Sequence, residues 1–432
     1  MKTKKLIQWG IVVPLSISAL TGYSANTFAA DIWSLQSSVE RVLEVSPETR
    51  ASLDILAIRE TQQQQSTAWP NPQIEVRADQ SMGLDDGSGG YDINELVISQ
   101  PIPVNRIQHQ SQLASAQLSA SRSQGLQQQL MLEYKTAMVF HQLQLKNALY
   151  DLSQQRLKIA DKYGKSQQST QAAGQLVRYL TPLEQKRLSI LRETARQATA
   201  YAEGELNEVL SEFRILLNMP QQTQITLEKL KLISESVDLM ALQQRLESHP
   251  QLQSLQHNVQ AAQAQTDVAK ASRYKDPTVN LFIERDNFNN QRETYSGISV
   301  NMELPLWNEN SQDVSLARAQ LINSQTEHQI KRRELSSQLQ QSYLHYGHLI
   351  KQIDEYRRNL LKPAEDMFKL SQKSFSAGEE NILGLIDSYN SYFEIHAGYL
   401  KLLASAAQEL ASVRMAAGIS LFASATVNGG AK

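Results

Sequence analysis

The 432-residue chain contains no cysteine. That excludes disulfides, thiolate metal sites and a cysteine-linked lipid anchor. An excess of basic charge is also missing, since 42 Lys and Arg stand against 44 Asp and Glu. No electrostatic footprint for nucleic acid is present. Beyond residues 1–30 there is no apolar run of the ~20 residues that a membrane-crossing helix needs. Any crossing must therefore be made by strands. There is no nucleophile elbow, no phosphate-binding glycine loop and no metal triad, so neither enzyme chemistry nor a cofactor is expected. Proline is kept out of most long stretches. Pro70, Pro72, Pro101, Pro103, Pro277 and Pro305 cluster instead where strands meet helices, removing backbone donors and fixing bends there.

The residues that are present begin with Lys2, Lys4 and Lys5, an apolar run from Ile11 to Leu20, and a small-residue stretch ending Phe28-Ala29-Ala30. This is the pattern of a secretory signal over 1–30. Taking its three lysines from the 42 basic residues leaves 39 against 44 acidic, a net charge of −5. Further on, Ile298, Val300, Met302 and Leu304 alternate with Gly297, Ser299, Asn301 and Glu303, while Val279, Leu281 and Ile283 alternate with Asn280, Phe282 and Glu284. With a polar loop between them, the two runs predict a β-hairpin with one apolar and one polar face. Such a hairpin cannot bury its apolar face on itself and needs a protein layer or lipid over it.

The sequence occurs twice. Trp69-Pro-Asn-Pro72 answers Tyr274-Lys-Asp-Pro277, QIEVRAD at 73–79 answers TVNLFIERD at 278–286, and ASAQLSAS at 114–121 answers ARAQLINS at 317–324. Gly174 pairs with Gly378 and Arg214 with Arg414. A repeat this long indicates a two-fold architecture. The expected division is a signal at 1–30, a first repeat at 31–230, a second at 231–420 and a tail at 421–432. The first repeat holds a hairpin at 73–103 and helices near 106–164 and 181–217. The second holds a hairpin at 278–305 and helices near 308–377 and 381–417. A 59-residue helix spans about 90 Å. Heptad seams run through Leu126, Leu130, Tyr134, Ala137, His141, Leu145, Ala148 and Leu152, and through Leu335, Leu339, Ser342, Tyr346, Leu349, Ile353, Tyr356 and Leu360. Narrow seams with wide polar faces suit helices packed side by side in a wall wetted on both sides.

Four strands are too few to close a barrel, and outer-membrane barrels need at least eight, so the chain must assemble. The expected lipid-facing residues are Ile74, Val76, Leu96, Ile98, Val279, Leu281, Ile298, Val300 and Met302. The expected lumenal ones are Glu75, Arg77, Glu95, Asn280, Glu284, Asn301 and Glu303. Trp69 and Trp307 at one end, with Tyr91 and Tyr295 at the other, are placed as interfacial belts.

PNPQIEV after a tryptophan, ISQPIPV, ELPLWNENS with LARAQ downstream, and AGEENILGLIDSYNSY together resemble the TolC-type outer membrane efflux proteins. The PNP and LPLW segments are most similar to the CzcC-like heavy-metal branch. The resemblance covers nearly the whole mature chain. It implies a homotrimer in the outer membrane, with a twelve-stranded β-barrel continued by a long periplasmic α-helical barrel. It also implies a periplasmic membrane-fusion adaptor, an inner-membrane pump of the resistance-nodulation-division type, and outer-membrane lipid as partners. Heavy-metal cations are the implied cargo. A multidrug or type I secretion duct is the alternative within the class, and a periplasmic coiled-coil scaffold is the alternative outside it.

The same resemblance implies that the helix tips at 172–185 and 376–387 close the periplasmic entrance. An acidic pair in the second tip would fall on Gly384 and Asp387, so Asp387 alone is retained, with Glu379 and Glu380 as nearby charge. Glu184 holds the matching place in the first tip. Three copies of Asp387 around an axis would attract cations. His345 and His348 lie three apart on a helix but lack a third ligand, so no metal site is expected.

Overall fold

A computed structural model describes residues 32–79, 93–104, 106–165, 181–235, 237–288, 291–307 and 309–421. The signal segment, the loop at 82–90 with Tyr91, Gly174 with most of the first tip, and the tail beyond 421 lie outside the described residues.

Two short helices open the first half, α1 (Leu35–Val45) and α2 (Pro47–Ser66). Ser46 sits between them and accepts from Glu48 N and Thr49 N, while Pro47 supplies the preset first turn of α2. Strands β2 (Gln73–Asp79) and β3 (Ile93–Pro101) follow, then α3 (Arg106–Lys165) and α4 (Pro182–Leu216). The order then recurs with α5 (Leu239–Arg245), α6 (Pro250–Ala271), β5 (Thr278–Phe288), β6 (Gln291–Asn301), α7 (Ser311–Tyr356), α8 (Lys362–Ala377) and α9 (Ile382–Ala416). A two-residue parallel pair, β1 (Ile32–Trp33) with β4 (Thr226–Leu227), ties the chain start to the segment after α4. It has no counterpart in the hydrophobic pattern, being too short to show a period.

The repeat extends to the helix ends. After α4 the chain turns through Asn218 at φ 52°, and after α9 through Gly418 at φ 71°. Met219 N then bonds to Arg214 O and Ile419 N to Arg414 O, the same left-handed C-cap built twice. Arg214 donates to Thr223 O and Arg414 to Leu421 O, so each arginine holds the chain that leaves its helix. Where Ser46 starts α2, His249 starts α6. Its Nδ1 accepts from Gln251 N and its Nε2 lies 3.2 Å from Met415 O. Burial holds the His249 imidazole below its ordinary pKa, favouring this neutral double bridge.

Long helices carry most of the core, with two departures from the expected seams. The helix over 308–377 is not continuous: residues Arg357–Leu361 form a π turn between α7 and α8. Pro363 has no N–H for the turn before it and would crowd a carbonyl there, which the wider π turn relieves. The extra residue moves the seam by one. Leu335, Leu339, Tyr346, Leu349 and Ile353 are buried as expected, but Leu360 is exposed, as are Met367 and Leu370. Ala364, Phe368 and Ser371 are buried in their place.

The second departure is α3. Leu130, Ala137 and His141 are buried on the seam, but so are Leu132, Glu133, Thr136, Val139, Phe140 and Leu143, whereas Leu126 is 54% exposed. Because α3 packs between α4 and α6 and also meets α9, a narrow stripe cannot serve it.

Candidate functional site

Strands β2, β3, β5 and β6 form one antiparallel sheet in that order. Ile74, Ile98, Leu281 and Ile298 stand in one row across all four strands, and Val76, Leu96 and Ile283 in the next. Strand alternation puts these on one face, and all seven are at least 41% exposed. Val279 and Val300 continue that face opposite Gln100, whose amide is turned onto the carbonyls of Pro70 and Pro101. Met302 beyond β6 is also exposed.

The other face is polar. One row reads Gln73, Ser99, Asn280 and Ser299, and another Arg77, Glu95, Glu284 and Tyr295. Glu75 shares this face, Asn280 donates to Ser299 Oγ, and Arg77 pairs with Glu95. Asn301 is exposed at the end of β6, and Glu303 just past it pairs with Lys275. Tyr295, expected in an apolar belt, instead falls in register with Glu284 on the polar face and donates to Glu293. One residue of register reverses the face of a strand residue. Phe282, on the polar face, lies over Gly297, where a Cβ would come within 2.7 Å of its ring.

Among the described residues β2 and β6 each pair along one edge only. They run in opposite directions, so β6 of one copy could pair antiparallel with β2 of another.

At the far end of the helices, α4 and α9 meet. Leu188 and Leu191 pack with Ile382, Leu385, Tyr389 and Phe393. Gly378 at φ 82° ends α8, and Asn381 caps α9 at Gly384 N. Asp387 and Glu379 are exposed. Glu380 is half-buried, accepts from Ser371 Oγ at 2.6 Å, and brings its carboxylate over Gly384. A side chain on residue 384 would collide with that carboxylate, so a carboxylate from the preceding turn fills the place of the acid that Gly384 lacks. Glu184 is engaged locally: its carboxylate accepts from Thr181 N and Thr181 Oγ1 in a capping box that starts α4.

Sequence reading missed Arg156 and its partners. Arg156 donates to Asn390 Oδ1 at 2.9 Å and lies 5.5 Å over the Tyr389 ring, while the Tyr389 hydroxyl donates to Arg156 O. Burial pushes that phenol up to about 12, against the neighbouring arginine. These contacts fix α9 to α3 just above the tip. Arg156 and Tyr389 are 233 residues apart, and no local pattern links them. His345 pairs with Glu409 at 3.2 Å, and no group of three potential metal ligands occurs among the described residues.

A sheet apolar on one face, polar on the other and joined to helices up to 60 residues long defines one protomer of an outer-membrane channel with a periplasmic helical part. Residues 241–419 match the family model "Outer membrane efflux protein", and the chain belongs to that family. The cobalt-zinc-cadmium resistance protein CzcC of Cupriavidus metallidurans is 24% identical over 172 residues, which are 40% of this chain and 41% of that protein. Crystal structures of CusC superpose with a TM-score of 0.68 at 17% identity, covering 89% of this chain and 92% of that one. The open state of the MtrE outer membrane channel of Neisseria gonorrhoeae gives 0.70 at 15% identity, covering 90% and 89%.

Proposed function

We propose that the chain is the outer-membrane duct of a tripartite efflux system, passing heavy-metal cations from a periplasmic adaptor and an inner-membrane pump to the exterior. The observation that carries the reading is the apolar row Ile74–Ile98–Leu281–Ile298, which crosses a sheet whose two outer strands are ready to pair. A soluble scaffold has no use for that face. Three copies would supply twelve strands, an even number compatible with antiparallel closure, and would turn Asn280, Glu75 and Glu284 to the lumen. The relative named for cobalt, zinc and cadmium resistance supports a metal cargo.

The test is growth of a deletion strain on zinc, cobalt, cadmium, nickel, copper and silver beside dyes, detergents and antibiotics. Sensitivity confined to metals and restored by the intact gene is the expected result. Sensitivity to drugs with normal metal tolerance would keep the duct and discard the metal reading.

The entrance is the second tip, with Asp387 as its cation-attracting ring and Glu380 and Glu379 adding charge above it. Asp387→Ala is expected to weaken block by a divalent cation about tenfold in planar bilayers, since three carboxylates act together on one ion. Unchanged block and unchanged conductance would remove Asp387 from the gate. Glu184 supports the same entrance by holding the first turn of α4 in its capping box.

A further inference from the structure

Where the sheet meets the helices, a cleft of about 590 Å³ opens between the start of α3, the end of α6 and the roots of the strands. Two chemistries share its wall. Val104 and Met302 are 65% and 50% exposed, and both continue the parity of the apolar face. Against them stand Arg106, His109, Lys270 and Lys275, interleaved with Asp267 and Asp276.

The charges are paired rather than of one sign. Arg106 Nε lies 2.8 Å from Asp276 Oδ2, Lys270 Nζ 2.8 Å from Asp267 Oδ1, and Lys275 Nζ 2.7 Å from Glu303 just outside the cleft. Three cations thus face three carboxylates. His109 adds a ring nitrogen, Nδ1, that is buried with no hydrogen-bond partner, an arrangement that a folded protein avoids unless something else meets it. Tyr274, also on the wall, is 53% exposed, and Trp307 beyond Met302 is 94% exposed. Such aromatics suit the level of lipid headgroups.

We propose that this cleft seats the headgroup of a zwitterionic phospholipid carrying a primary amine, taken from the inner leaflet of the outer membrane. Phosphate lies against Lys275, Arg106 and His109, and the ammonium lies against Asp267 and Asp276. The acyl chains leave over Val104 and Met302 onto the apolar face. A purely anionic ligand would be repelled by the two aspartates, and a bare cation by the basic groups. A headgroup bearing both signs answers both. Continuity with the apolar wall selects a lipid over soluble phosphoethanolamine. The inference rests on the outer-membrane placement and adds a defined lipid site to it.

The test is native mass spectrometry of the full-length protein, incubated separately with phosphatidylethanolamine, phosphatidylglycerol, phosphatidylcholine and soluble phosphoethanolamine. Retention of phosphatidylethanolamine above the other two lipids is expected. The variant His109→Ala with Lys275→Gln is expected to lower it about tenfold, the weight of one hydrogen bond to a charged group. Equal retention of phosphatidylcholine, or unchanged retention by the variant, would overturn the site. Competition by phosphoethanolamine as strong as by the whole lipid would overturn the lipid assignment. If the double variant fails to assemble, His109→Gln alone supplies the comparison under the same two criteria. Membrane fractionation of the wild type separates the two levels: absence from the outer membrane sinks the placement itself, whereas normal placement without selective lipid retention sinks only the cleft.

Discussion

Leu281→Arg is expected to remove the protein from the outer membrane. Leu281 stands mid-row between Ile98 and Ile298, on the apolar face and half exposed. If that face meets lipid, a guanidinium there costs about 2–4 kcal/mol in each copy. The cost recurs in every protomer of a ring, so assembly should fail rather than weaken. Ser299→Arg is the control. Ser299 lies one row away on the opposite, polar face, and its replacement loses one hydrogen bond from Asn280, about 1 kcal/mol. Oligomer abundance in outer-membrane fractions should therefore fall to background for Leu281→Arg and stay measurable for Ser299→Arg. Equal abundance of the two variants would show that the apolar face is covered by protein, and the scaffold reading would return.

Much of this architecture is legible in the sequence because its signals are periodic. A two-residue period wrote the apolar face of the strands, and the rows of the sheet follow it from Ile74 to Ile298. What escaped is what depends on partners far along the chain. Tyr295 was read by its position near a strand end, but register decides which face it takes. The π turn at Arg357–Leu361 follows from Pro363 only once α8 must pack its Phe368 against α9, since Leu360 and Met367 are equally apolar alternatives. At the tip, Asp387 was readable as an acid at a spaced position. Glu380 reaching over Gly384 was not, because it needs the turn built by Gly378 and Asn381.

Gly418→Ala is expected to cost far more than Gly378→Ala, although both glycines have positive φ, 71° and 82°. The backbone strain is similar at the two sites, about 1 kcal/mol for an alanine in this region. Their surroundings differ. Nothing lies within 4 Å of a Cβ built on Gly378, whereas one on Gly418 would sit 2.9 Å from His249 Cδ2 and 3.0 Å from His249 Cα. Because one of those atoms is backbone, a rotamer change cannot clear it, and overpacking adds about 1–3 kcal/mol. The total for Gly418→Ala is then about 3 kcal/mol, against about 1 kcal/mol for Gly378→Ala. The first repeat shows the same choice made the other way: a small cap, Ser46, goes with a left-handed residue that has a side chain, Asn218. In the second, the large cap His249 goes with glycine. His249→Ser should therefore recover about 2 kcal/mol of the Gly418→Ala loss in a double-mutant cycle. Thermal loss of helical circular dichroism in detergent would measure it. Strict additivity of the two substitutions would leave backbone strain as the whole cause and remove His249 from the explanation.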